Sequence, residues 1–164
     1  MSRLLSLEAW FSYLIGLQFL LVAGHDLIDV QGLTHGSQVK AAVGQGKIWL
    51  VTLVNAAFPG AAVALAVAFW ARPKPRYVFD YWVVYCAVTV ISALVMWWVP
   101  YFWGASPKTK AEHLKMYAGT WHVLPARGDN PRPNLLHVVF HCLFLATLTL
   151  AVTLRISLHA APLS

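Results

Sequence analysis

The chain has 164 residues, 59% hydrophobic and 11% charged, with a net charge of +6. A soluble domain of this length carries about a quarter charged residues, so a soluble globular protein is excluded. Nucleic-acid binding is excluded too, because the basic residues lie between apolar runs and form no stripe interleaved with stacking aromatics; that is the pattern of loop charge in a membrane protein.

Four apolar runs are each near the ~20 residues a helix needs to cross the hydrocarbon of a bilayer. They predict one all-α domain, an integral membrane protein built as an antiparallel four-transmembrane-helix bundle, with spans at about residues 7–30, 48–71, 78–103 and 135–156. Arg3 before the first run imitates a secretory leader. The run continues to about residue 30, longer than a signal h-region, and no small-x-small site follows, so no cleavable signal peptide is expected.

In the first run Gln18, His25 and Asp29 fall within about 40° of one another on a helix. Polar groups on one stripe of an apolar helix must face protein or water. Asp26 lies off that stripe and points toward the interface. The connector 31–47 is polar and Gly-rich and carries His35.

The second run places Asn55 one turn before Pro59, and its Ala/Gly-rich part, 56–68, reads as close helix packing. Arg72-Pro73-Lys74-Pro75-Arg76 is a short, stiff turn, since two prolines forbid a continuous helix. The third run sets Tyr81, Tyr85, Thr89 and Ser92 on one broad face, and Asp80 is expected to pair with Arg76, four residues earlier. Trp10, Trp49, Trp70, Trp97, Trp98 and Trp103 fall near run ends, as in an interfacial belt. Cys86 and Cys142 lie inside apolar runs and read as inert packing groups.

The connector 104–134 is expected to fold as a lid over the polar groups. Ser106 is a candidate N-cap with Pro107 at the first helical position, opening a short helix that ends near Tyr117. Its basic side, Lys108, Lys110 and Lys115, faces water or lipid headgroups. Residues 125–133 are turn formers, including Arg127-Gly128-Asp129, and Asn134 caps the fourth run. That run opens with His137 and His141, four residues apart and so on one helix face. The dense 72–76 cluster favours cytoplasmic termini, although the raw count of Lys and Arg is higher in the other loops.

With four spans, the end of the first run and the start of the fourth share a membrane face. Six of the seven histidines belong to that half. Three chemical readings follow. His25, Asp29, His137 and His141 would supply four ligands to zinc or non-haem iron, with His113 and His122 as possible additions. Haem between His25 and one of the fourth-run histidines is a weaker variant, because it leaves the other of that pair unexplained. A metal-free pocket for a lipid or other hydrophobic small molecule would use Gln18, Asn55, Tyr81, Tyr85 and Trp97 as its lining, with proton shuttling through Asp and His. The plainest alternative is that the histidines bond the chain's own polar groups.

The stretch Leu27-Ile28-Asp29-Val30-Gln31 and the pair Tyr85 and Thr89 resemble the EXPERA family of sterol isomerases and sigma-2-receptor-like membrane proteins, as do the size and four-span layout. The resemblance implies a lipid-like or sterol-like ligand. The family's further acidic residue in the second helix is replaced by Asn55, and the His137/His141 pair is no part of its pattern, so sterol isomerisation does not carry over. Membrane lipids are the expected surroundings, and a homo-oligomer or a role as accessory subunit of a larger membrane complex stays open.

Overall fold

The computed structural model describes residues 2–70 and 72–160, with side chains described for 6–70 and 72–157. The elements in order are α1 (Ser2–Gly24), a small hairpin of β1 (Asp29–Val30) and β2 (Thr34–His35), α2 (Gly36–Val43), α3 (Gln45–Ala68), α4 (Arg76–Ala93), a π-helical turn (Leu94–Trp98), α5 (Val99–Trp103), α6 (Pro107–Tyr117) and α7 (Leu135–Ala160). Four helical stretches are long and apolar enough to cross a membrane: Ser6–Gly24, Gln45–Ala68, Arg76–Trp103 and Leu135–Ser157.

Helix α1 packs on α3 and α7, and α4 packs on α7. The main core joins Phe11 and Ile15 of α1, Ala62 and Ala66 of α3, Phe79 and Trp82 of α4, and Ala151 and Leu154 of α7. Small residues on α3 let the Trp82 indole approach closely enough to donate from Nε1 to the Ala62 carbonyl at 3.3 Å. Gln18, 1% exposed, joins three helices at mid-length. Its Nε2 donates to Thr147 Oγ1 at 2.5 Å, and its Oε1 accepts from the Tyr85 hydroxyl at 3.1 Å.

Two ion pairs close one end. Lys74, on the stiff turn, reaches Glu8 at 2.6 Å, and Arg155 reaches Asp80 at 2.5 Å. The second is a bond between α4 and α7 that the local pairing of Asp80 with Arg76 does not include. The end of α1, the π turn and the start of α7 gather at the other end.

Three local departures shape that end. First, α1 stops at Gly24 rather than continuing to residue 30. The chain turns into the hairpin, where Asp29 faces His35 in register. Gly36 holds this turn in place: a Cβ there would lie 2.8 Å from the Leu27 carbonyl carbon and 2.9 Å from the Ile28 nitrogen, backbone atoms that cannot move aside. Second, the connector 31–47 contains a helix, α2, which packs on α6. Third, the long third helix widens into the π turn just before Pro100. Proline offers no N–H to the carbonyl one turn back, and a wider turn absorbs the fault. Trp97 and Trp98 leave that turn half-buried, while Trp10, Trp49, Trp70 and Trp103 are exposed near helix ends.

Candidate polar site and apolar groove

The helix caps position the site. Ser106 Oγ accepts from the Thr109 amide at 3.2 Å and starts α6. Asn134, 2% exposed, starts α7: its Oδ1 accepts from the His137 amide at 3.0 Å and from His137 Nδ1 at 2.7 Å. A carbonyl-type oxygen only accepts, so Nδ1 carries the hydrogen and a neutral His137 ring has its lone pair on Nε2. The ring lies against Trp97, with centroids 3.7 Å apart. Tyr117 of α6 meets it edge-on at 5.3 Å.

His25 lies one residue beyond α1 and meets His137 edge-to-face, centroids 5.9 Å apart. The predicted convergence of the end of the first helix with the start of the fourth is therefore present. His25 Nδ1 sits 3.1 Å and 3.2 Å from the carbonyl oxygens of Leu21 and Val22, so it donates. Its Nε2 lies 3.2 Å from Asp26 Oδ1. With Nδ1 donating to backbone, Nε2 faces the carboxylate, and a proton on either group would bridge the two. Burial pushes the Asp26 carboxyl above the usual carboxylate range, and the neighbouring His25 pulls the other way.

Other expected ligands lie elsewhere. Asp29 accepts from the Ser37 amide at 3.0 Å and hydroxyl at 3.2 Å, outside the cluster, because the helix that would align it with His25 has ended. Those bonds hold its carboxyl below the usual range. His141 Nδ1 accepts from Trp98 Nε1 at 3.0 Å. His113 is bonded through Nε2 to the backbone of Arg132, 3.1 Å from its carbonyl oxygen. His122 is tied to backbone at Thr120 and Arg132, and burial lowers its pKa. Among the described residues no three His, Cys, Asp or Glu side chains could hold a common ion. The four-ligand zinc or iron set of His25, Asp29, His137 and His141 is thus not assembled. His25 and His137, the histidines considered for haem, touch ring to ring beside a cavity of about 10 Å³.

The expected lining residues lie in different parts of the bundle. Only Trp97 belongs to the His cluster. Gln18 and Tyr85 bond each other in the core. Tyr81 donates to the Phe58 carbonyl at 2.9 Å, and Asn55 is exposed on α3. In their place stand Asp26, His35, Tyr117 and Asn134, which with His25 and His137 line the 10 Å³ pocket. Thr34 and Leu33 of the hairpin close it. The sequence held one signal for His35: it is a histidine in the same half of the chain's layout as His25 and His137. Its Nε2 is buried and without a hydrogen-bond partner among the described residues.

Against this polar pocket lies an apolar groove of about 190 Å³, lined by Leu20, Leu21, Gly24, His25, Ile28, Val30, Leu33, Thr34 and Leu136. His25, Leu33, Thr34 and Leu136 belong to both. The segment 106–134 lies over the polar side and is tied down. Trp121 donates its amide to Gly32 at 2.6 Å and accepts from the Leu135 amide at 2.7 Å. Gly32, at φ 75°, has the Trp121 ring where a Cβ would be, 2.2 Å away. Tyr101 donates to the Pro125 carbonyl at 3.0 Å, and the Arg127 guanidinium lies 5.0 Å over the Phe102 ring. No family model, curated protein or solved structure matches this chain.

Proposed function

We propose that the chain is a multi-pass membrane protein, an antiparallel bundle of four spans, that binds a membrane-borne amphiphile at one membrane face. The hydrocarbon part lies in the groove beside Leu20, Gly24, Ile28 and Leu136, and the polar end meets His25, Asp26 and His137. The observation that carries this reading is the contiguity of groove and polar pocket, which share His25, Leu33, Thr34 and Leu136. An apolar cleft ending on a few convergent polar groups is the usual form of a small-molecule site. Leu20, Ile28 and Val30 are exposed, so the groove is open sideways, where lipid would be. The His25–Asp26 pair, 3.2 Å apart, can give a proton to the bound head or take one from it. The dense 72–76 cluster favours cytoplasmic termini, which would put the site at the opposite face. A lipid-like ligand is also what the EXPERA resemblance implies, although Leu27–Gln31, part of its basis, lies in the turn and hairpin here.

The test is extraction of bound lipid from mildly solubilised protein, with identification by mass spectrometry, beside Gly24→Leu. A Cβ at Gly24 meets only Ile28 Cδ1, at 3.5 Å, so this variant fills the groove without disturbing the helix. One amphiphile species, near-stoichiometric in the parent and depleted in the variant, is expected. Identical lipid profiles would refute the reading.

A further inference from the structure

Resting on the amphiphile reading, we infer that the ligand's head is small and uncharged, a single hydroxyl or carbonyl oxygen, and not a phosphate. The polar pocket has about 10 Å³ of space, the room one water-sized group needs. A phosphate, with four oxygens around its phosphorus, does not fit that space.

Charge points the same way. Phosphate sites are built from Arg, Lys or free amides at a helix N-terminus. Neither pocket nor groove is lined by Lys or Arg among the described residues. Lys40, next to the pocket residue Val39, gives its ammonium to the Leu27 carbonyl at 3.1 Å. Three of the four amides that open α7 are taken: Leu135 by the Trp121 carbonyl, His137 by Asn134 Oδ1 and Val138 by the Asn134 carbonyl at 3.1 Å, which leaves the single amide of Leu136 against the several a phosphate site uses. Asp26, when ionised, would repel an anion.

The hydrogen-bonding capacity suits a hydroxyl or carbonyl oxygen. His35 Nε2 is buried with no partner among the described residues, and His137 has Nε2 to spare because Nδ1 is committed to Asn134. A hydroxyl donates to one imidazole nitrogen and accepts from a protonated neighbour. A carbonyl accepts alone, from His25 or Asp26 in its protonated form. The rest of the molecule is hydrocarbon, since the groove residues beyond His25 and Thr34 are apolar or glycine.

The experiment compares two probes with one tail, tritiated dodecanol and tritiated dodecyl phosphate, by equilibrium binding to the full chain in lipid nanodiscs. Non-specific partition is measured with Gly24→Leu, and Leu136→Trp serves as a second groove block should the first variant fail to fold. Saturable dodecanol binding, about tenfold or more tighter than dodecyl phosphate (~1.4 kcal/mol) and lost in the blocked variant, is expected. Asp26→Asn should narrow the gap by improving phosphate binding. Equal or tighter groove-dependent binding of dodecyl phosphate would overturn the head assignment and leave the amphiphile site standing. Groove-independent binding of both probes would overturn the two together.

Discussion

Replacing Asn134 by alanine removes one oxygen that accepts two hydrogen bonds, from the His137 amide and from His137 Nδ1. The first is the N-cap of α7, and losing such a cap costs about 1 kcal/mol. The second leaves a buried imidazole N–H without a partner, which costs about 1–3 kcal/mol. Together the loss is about 2–4 kcal/mol, or roughly 30- to 1,000-fold in the unfolding equilibrium. Asn134→Asp keeps an acceptor in place for both bonds and puts a negative charge at a helix N-terminus, where it is favourable, so it should retain most of the stability. Reversible unfolding in mixed micelles measures both. A loss below about 0.5 kcal/mol for alanine, or an equal loss for both variants, would refute the assignment of Asn134 as cap and imidazole anchor.

Gly32→Ala should release the contact between hairpin and connector, because the residue sits at φ 75° with the Trp121 ring against it; we expect a cost on the order of 1–3 kcal/mol and faster proteolysis within 106–134. Lys74→Met should cost between the ~1 kcal/mol of an exposed ion pair and the ~3 kcal/mol of a buried one, since the side chains are 7% and 16% exposed; adding Glu8→Gln should recover much of it. Burial raises the Asp26 carboxyl above its ordinary 3.8, so the folded state binds more protons than the unfolded state between that value and the raised one. Stability therefore falls as pH rises through that window, and Asp26→Asn should abolish the slope in a pH series of unfolding measurements. His113 has the opposite sign: burial lowers it from 6.5, the unfolded state binds more protons just below 6.5, and stability rises with pH up to that point, a slope that His113→Gln should remove.

The long apolar runs, the 72–76 turn and the caps at Ser106 and Asn134 could be read from local sequence because each rests on groups within a few residues of one another. The meeting of His25 with His137 also followed, from counting spans. Asp29 did not, because the continuous 3.6-residue pattern through residue 30 hides a break whose cause lies downstream, in the backbone crowding that only Gly36 permits. Asp26 then takes the place beside His25. Tyr81 and Tyr85 share a helix face with nothing of the site, since depth along the helix separates them from it. Trp97 and Trp98 turn on the π segment before Pro100, which a uniform 100° plot cannot represent. His35 is brought in by the hairpin, a non-local event.

His25 and Asp26 leave the ribosome before the first connector, and His137 only after three of the four long helices have been made. Trp121 joins the two regions by bonding Gly32 on one side and Leu135 on the other. The polar pocket thus cannot exist in a chain that stops before the start of α7. A product truncated before α7 would expose His25, the hairpin and the groove with no counterpart, giving quality-control proteases a natural marker of unfinished molecules.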